Sequence, residues 1–521
     1  MKRFIIYGLL LAASLSTVWA GGQQSGGAAP SATSVLNISV MGVHGAPYPL
    51  PAEESIIFKT IADTRNVKFQ FDWRQSTDYG TQIAVTLASG KLPDIIADPG
   101  AYGVMALVDE GAIIPLDDLL TQYGQNILAA VGPARMANWR STDGHIYTLP
   151  GILNIQGAYS MMIRKDWLDK LGLALPTTWD QWLTVWRAFR DNDMNGDGDK
   201  TNEIPLAFAM ASNGESIVAP LLWAFGIQCS ADTQFCVYNG RYIPVTEHPR
   251  YTEFLQATSD LYREGILDRE FSSRAQADLF TIMDNGLCGS AYTWAERASI
   301  STSVNQQAGN AAAFWKTVAP IKGPNGDQYI QARDWRVFTY SITSTAEKKA
   351  ADIIKFFNWM YSDKGIELYS FGIEGQTFDY VNGKPVLKVS LLTDSFTSYR
   401  TAGLQYTCFP GVWTEDAYMQ CLTRGQSYAQ LAPQVQSFYD GLFTVNKGYY
   451  YDMPDTLATE AYVRYRAELI TNGVSVLRAQ CIAGQISVAD FTSQYQALKT
   501  RGFQQIIDQG AAAYATINSG W

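Results

Sequence analysis

Between residues 36 and 96 the hydrophobic period alternates between two and about 3.6, and this alternation constrains the fold more than any other feature of the chain. Leu36 to Met41 is a short apolar run of strand type, followed by a loop from Gly42. Pro51-Ala-Glu-Glu-Ser-Ile56-Ile57 starts a helix, with proline tolerated in the first turn and acids at the positive end of the helix dipole. Val67, Phe69, Phe71 and Trp73 then alternate with Lys68, Gln70 and Asp72, which gives a strand one apolar face. Asp78 is placed to cap the next helix, whose Tyr79, Ile83 and Leu87 share one side; Gly90 ends it and Pro93-Asp94-Ile95-Ile96 enters a third strand. Strands joined by helical crossovers predict an α/β sheet. Such sheets bind ligands in crevices outside the carboxyl ends of their strands, which places Asp98 and Tyr102 near a cleft.

The rest of the chain repeats this pattern. Met161 to Leu168 reads as a strand running into a helix, and Thr178 with Gln181 forms a capping box. The helix it opens carries Trp182, Val185, Trp186 and Phe189 at core spacing. Arg336 to Ile342 is strand-like, Ser344 to Glu347 caps a further helix, and the last 150 or so residues are mostly helical, at 458–471, 488–498 and 502–513. A chain of 521 residues exceeds what one core usually serves, so two domains are expected.

Residues 1–20 have a short positive region, an apolar core and a small-residue junction, as in a secretory signal peptide. Residues 21–35 are too rich in glycine and too poor in apolar side chains to pack, and read as a flexible leader. Export places the six cysteines in a compartment where disulfides persist; Cys229 and Cys236 are the easiest pair to join. A net charge of −10 with no basic run argues against a nucleic-acid partner.

The strongest chemical signal is the run Asp191-Asn-Asp193-Met-Asn195-Gly-Asp197-Gly198-Asp199-Lys-Thr201-Asn202-Glu203. Counted from Asp193, oxygen side chains recur at alternate positions, glycine stands at the sixth, and hard oxygens in that number suit calcium. The closing acid, Glu203, comes at the eleventh position, and Pro205 blocks an immediate second helix. A fixed, loop-stapling ion fits this better than a switch.

Lys91-Leu-Pro-Asp94, Asp143-Gly-His-Ile-Tyr-Thr-Leu-Pro150, Arg164-Lys-Asp-Trp-Leu-Asp-Lys-Leu-Gly172, the metal loop ending in Asn202-Glu203-Ile-Pro, and Tyr361-Ser-Asp-Lys-Gly365 together resemble the extracellular solute-binding proteins of ABC transporters, in the large carbohydrate-binding branch that includes alginate-oligosaccharide-binding proteins. The resemblance implies a bilobal periplasmic-binding-protein-like fold, two α/β lobes joined by a hinge with a helix-rich C-terminal part. It implies an N-terminal lobe from 36–150 and 282–343 and a C-terminal lobe from 151–281 and 344–521. It further implies closure around a carbohydrate and delivery to the membrane permease of an ABC importer by a monomeric, periplasmic protein. Carried over by position, the calcium ligands are Asp193, Asn195, Asp197, Asp199, Asn202 and Glu203, although one extra residue precedes Asn202 here. Many relatives carry a lipid-attachment cysteine just after the signal; none occurs before Cys229.

Sugar sites combine flat aromatic side chains with amides, acids and arginines. Segments without clean buried periodicity supply the candidates: Trp73 and Arg74, Tyr292 and Trp294, Arg333, Trp335 and Arg336, and Trp413. Arg333 and Arg336 suit an acidic sugar, which arginine grips through parallel hydrogen bonds. Three histidines without ligand spacing and the lack of a Gly-x-Ser-x-Gly turn speak against an enzyme. The rival expectations are a secreted polysaccharide-active hydrolase or lyase, and a non-catalytic surface adhesion module.

Overall fold

The computed structural model describes residues 35–44, 55–75, 78–132, 135, 139–153, 155, 157–209, 218–229, 234–332, 336–392, 397–404, 409–451, 453, 457 and 459–517. The expected signal peptide and nearly all of the leader lie outside them, as do Pro51, Arg333, Trp335 and Cys408. No helix among the described residues is long and apolar enough to cross a membrane.

The strands of the two main sheets are, in chain order, β1 (Leu36–His44), β2 (Val67–Gln75), β3 (Ile95–Ala97), β4 (Leu149–Leu153), β5 (Tyr159–Arg164), β6 (Ser290–Trp294), β7 (Trp315–Val318), β8 (Arg336–Ile342) and β9 (Val412–Trp413). The first sheet is six-stranded, in the order β9-β4-β8-β3-β1-β2. β1 runs parallel to β2, from the pair Leu36–Val67 to His44–Gln75, and parallel to β3. β8 lies antiparallel between β3 and β4, and β9 closes the far edge parallel to β4. β1 therefore continues through Val43 and His44, where a loop was expected.

The alternation in β2 is real: Val67, Phe69, Phe71 and Trp73 face inward while Lys68, Gln70 and Asp72 are exposed. Helix Ile56–Arg65 covers this face with Ile57, Phe58 and Ile61, and helix Ala350–Met360 adds Ile353, Ile354, Phe357 and Met360. Phe69 stacks on Phe409 at 5.3 Å and meets Phe58 at 5.8 Å. Each such side chain taken fully from water contributes about 1.5–3 kcal/mol before ordering costs. Helix Tyr79–Ala88 buries Tyr79 and Ile83 as its spacing requires. Asp78 does not cap it through the backbone; its carboxylate accepts from the Gln82 side chain instead.

The second sheet is three-stranded and antiparallel, β6-β5-β7, and the extended segment after the metal loop adds to its edge through the Ala207–Ala291 bridge. Helix Trp179–Asp191 carries the predicted capping box, with Gln181 accepting from the Thr178 amide, and buries Trp182, Val185, Trp186 and Phe189. The Trp186 indole donates to Ser290 Oγ at 2.9 Å, and Ser290 Oγ donates to the Pro205 carbonyl at 2.6 Å, so helix, sheet and post-loop segment are fastened at one buried point. Helix Val488–Leu498 falls as predicted. The expected helix at 458–471 is a shorter one, Glu460–Tyr465, continuing as the wide-turned Arg466–Ser475, and the last helix is Gln504–Ile517. The segment from Ser344 begins as a tight turn of helix through Lys349, without a side-chain cap, before the helix proper.

Two large cores result, and they divide the chain differently from the expected lobe boundaries. The first draws on residues 38–155 and again on 340–421; the second draws on 161–330 and 453–507. Residues 290–318 sit with the second core because β6 and β7 both pair with β5. Residues 346–421 sit with the first because helix Ala350–Met360 and β9 lie on its sheet.

Candidate functional site

Among the described residues the chain passes between the cores at three places: from Leu153 to Tyr159, from Ile330 to Arg336, and from Cys421 to helix Pro433–Phe443. That helix is fixed to the second sheet by Ser437, whose hydroxyl accepts from the Thr317 amide at 2.9 Å. At Gly157 in the first passage, an added Cβ would meet the Leu442 carbonyl at 2.5 Å and the Tyr450 hydroxyl at 2.6 Å, so only glycine allows this close approach.

A cavity of about 730 Å3 opens beside these passages. Leu153, Trp413 and Tyr418 line it from the first core, Trp294 and Glu296 from the end of β6, Leu442 from helix Pro433–Phe443, and Arg424 and Gln426 from the third passage. Trp294 leans on Tyr159 with ring centroids 4.6 Å apart, and Trp413 stacks on Tyr399 and meets Tyr418 edge-on at 5.1 Å. Trp413 is held by β9 and is 2% exposed, so it offers the cavity little surface. Glu296 stands at the start of helix Arg297–Gln307. Its surface stays open to the cavity, yet the protein mass around it disfavours the anion and raises its carboxyl above the usual range, with Arg297 opposing.

Of the sequence-derived candidates, the structure brings together Trp294 and Trp413. Tyr292, two residues before Trp294, does not line the cavity: it is 7% exposed, sandwiched near Tyr159 and Trp223, and its phenol is driven well up by burial. Arg336 is a half-buried strand residue opposite Ile152. Arg333 and Trp335 fall outside the described residues. Glu296 stands in the same segment as Tyr292 and Trp294, whereas Arg400, Tyr418 and Arg424, which also line the cavity, were not among the candidates.

Trp73, Arg74, Asp98 and Tyr102 form no part of this cavity. Trp73 stacks on Phe71 at 4.8 Å and covers Gly42, where a Cβ would meet its ring at 2.6 Å. Arg74 pairs with Asp72, and the Tyr102 hydroxyl donates to Glu110 at 2.6 Å. The Tyr79 hydroxyl shares its proton between the carbonyls of Met41 at 3.0 Å and Ala97 at 2.8 Å, tying together the carboxyl ends of β1 and β3. Asp98 follows directly, in the left-handed region at φ 45°. Burial raises its carboxyl above the ordinary value.

A carboxyl with a raised folded value binds protons more tightly folded than unfolded, so stability falls as pH rises from about 3.9, the unfolded value, through the folded one. Asp98→Asn removes that cost and keeps a side chain that tolerates the left-handed backbone. Its stability relative to wild type should rise between about pH 3.5 and pH 7 in urea denaturation. An equal difference at both pH values would contradict the assignment.

The metal loop is a chain of side-chain-to-backbone turns. Asp193 accepts from Gly196 N at 2.6 Å and Gly198 N at 2.9 Å, and Asp197 accepts from Asp199 N at 2.8 Å. Asp197 Oδ2 also receives Asn195 Nδ2 at 3.0 Å and Asn202 Nδ2 at 2.6 Å, so these three side chains meet at one point. Hydrogen bonds from the Asp199 amide and Asn202 hold the Asp197 carboxyl below its usual range. Asp199 turns onto Thr201, accepting from its amide at 2.9 Å and from its hydroxyl. Glu203 is 7% exposed; one carboxylate oxygen accepts from Met194 N at 2.7 Å, and the other is buried without a partner. Asp191 is outside this group, paired with Arg190 at 2.7 Å. No three His, Cys, Asp or Glu among the described residues converge as metal ligands by themselves. The convergence at Asp197 depends on two amides, and the orphaned Glu203 oxygen is the kind of buried acceptor that a hard cation satisfies; the donor chemistry fits calcium.

The profile of the bacterial extracellular solute-binding protein family matches residues 49–367, more than half of the 521. The chain is 27% identical over 375 residues to the fructooligosaccharide ABC transporter substrate-binding protein FusA of Streptococcus pneumoniae serotype 4, covering 65% of this chain and 66% of FusA. It is 25% identical over 340 residues to lipoprotein LipO of Bacillus subtilis, covering 64% and 66%. The matched regions thus span just under two thirds of these relatives. Among solved structures, it is similar to alginate-binding protein AlgQ2 without calcium ion, at TM-score 0.65 and 22% identity over 92% of this chain and 98% of that one. It is likewise similar to an EF-hand mutant of S. pneumoniae FusA in complex with fructo-nystose, at 0.63 and 20% over 92% and 98%. These likenesses show a periplasmic-binding-protein-like α/β fold over nearly the whole chain. A family match across more than half of the sequence, on a fold shared by almost all of it, places this chain among the bacterial extracellular solute-binding proteins.

Proposed function

We propose that the protein captures a carbohydrate outside the cytoplasm, binds it without chemical change, and hands it to the permease of an ABC importer. The observation that carries this reading is the cavity lined by both Trp294 and Trp413, each carried by a different sheet. The Trp294 ring, the more exposed of the two, suits the apolar side of a sugar ring, and Glu296 with Arg424 supplies polar partners for hydroxyls. The relatives' described ligands, fructooligosaccharides and alginate, support an oligosaccharide. The two cores are the two lobes, the three passages are the hinge, and a ligand that touches both walls stabilises the closed arrangement. Arg336 ends the second passage and extends the site on this reading, Arg333 and Trp335 stay with it as sequence-derived candidates, and Trp73, Arg74, Asp98 and Tyr102 are structural unless closure brings them inward. The protein acts as a periplasmic monomer released by its signal peptide.

Calorimetry with neutral fructooligosaccharides and with alginate oligosaccharides tests the reading, alongside chromatography of the incubated sugar. One saturable site and unchanged sugar are expected; released products would favour a hydrolase or lyase, and no binding to either series would remove the carbohydrate. Trp294→Ala should weaken binding of the recognised oligosaccharide by about 1–2 kcal/mol, roughly 5- to 30-fold, with the melting temperature little changed. An unaltered affinity would move the site away from this cavity.

The same proposal includes a structural calcium ion held by Asp193, Asn195, Asp197, Asn202 and Glu203, with Asp199 bracing the loop through Thr201. The orphaned Glu203 oxygen and the meeting of Asn195, Asp197 and Asn202 support it. So does the fact that a FusA variant similar to this chain is described by its EF-hand.

A further inference from the structure

Cys229 and Cys236 stand directly opposite one another in an antiparallel bridge. Cys236 belongs to strand Phe235–Tyr238, which pairs on its other side with Arg241–Pro244, so Cys229 occupies the outer position of a small three-stranded ribbon. Both residues are fully buried, and the structure holds both as thiols. Opposed residues of an antiparallel pair point to the same face, with Cα atoms ~4.5–5.5 Å apart. That separation lies inside the ~4.4–6.8 Å range that a disulfide spans. Among the described cysteines, Cys288, Cys421 and Cys481 lie on other elements, outside this bridge.

We propose that Cys229 and Cys236 form a disulfide in the exported protein. The family is extracellular, and such compartments keep disulfides oxidised. The reaction is a double exchange: the two cysteine thiols and one molecule of a disulfide donor give one intrachain S–S bond and two donor thiols, which take up the two protons. Burial pushes the Cys236 thiol up to about 12, which leaves almost no thiolate once the core has closed. The bond therefore forms while the segment is still open and is shielded afterwards. Its place matters because the Tyr451 hydroxyl donates to the Cys229 carbonyl, and Tyr451 and Tyr292 both pack edge-on against Trp223. The bridge closes a short loop beside that aromatic group.

Trypsin releases residues 201–241 as one peptide, which contains these two cysteines and no other. The protein should be recovered from an oxidising compartment, denatured without reductant, blocked with iodoacetamide and digested. The peptide is expected to carry no label and to be lighter by two hydrogens than the dithiol form; reduction before blocking should add two labels. Chain that is reduced, denatured and refolded with glutathione disulfide should regain the same unlabelled peptide. Two labels without reduction, a link to a third cysteine, or a lasting glutathione adduct on either residue would overturn the proposal.

Discussion

Removing calcium with a chelator is expected to lower the melting temperature of the protein, and Glu203→Gln is expected to make melting indifferent to the chelator. An ion present at ~1,000 times its dissociation constant stabilises the folded state by about 4 kcal/mol, and that amount is what chelation withdraws. The reason lies in the loop itself. Its carboxylates are crowded, and the hydrogen bonds that curl it satisfy only part of them; Glu203 keeps a buried oxygen with no donor. The substitution would replace that carboxylate with a neutral amide and weaken the ion's closing ligand. Scanning calorimetry with and without chelator reads both effects, and elemental analysis of protein purified without chelator should give about one calcium per chain. A wild-type melting curve that ignores the chelator would rule out a structural ion.

Asp268→Asn is expected to destabilise the second core by about 1.5–3 kcal/mol, because it removes the buried counter-charge of Arg274 and leaves its guanidinium only the exposed Glu270 carboxylate at 3.2 Å. Asp268 is 4% and Arg274 7% exposed, and the guanidinium grips both carboxylate oxygens, one of them at 3.0 Å. The Asp268 amide also donates to the Leu206 carbonyl at 2.9 Å, just beyond the metal loop. Urea denaturation followed by tryptophan fluorescence measures the loss, since Trp182 and Trp186 lie in the same core. A loss below about 1 kcal/mol would mean that solvent reaches the pair and screens it.

Local chemistry was legible in the sequence wherever a short period or a fixed spacing carried it. The alternation from Val67 to Trp73, the box of Thr178 and Gln181, and the oxygen spacing from Asp193 each depend on residues within a turn or a strand of one another. What depended on distant pairing was not legible. β6 and β7 join β5 across more than 120 residues, which moves 290–318 to the second core, and no local pattern announces it. The same holds for Trp413: its surroundings read as irregular, yet two residues of strand against β4 hold it in place. Tyr292 and Trp294 are two residues apart and share one face of β6, and only the observed packing decides that Trp294 reaches the cavity while Tyr292 packs inside. Glu296 was visible as an acid but not as a perturbed one, since burial by the folded chain is what raises its carboxyl.

The buried fastening of Trp186, Ser290 and Pro205 joins the exit of the metal loop to the first residue of the strand that ends in Trp294. On the proposed reading the ion and the carbohydrate attach near opposite ends of one short strand, and any coupling between them is reciprocal. By whatever factor calcium changes the affinity for the carbohydrate, the carbohydrate changes the affinity for calcium by the same factor.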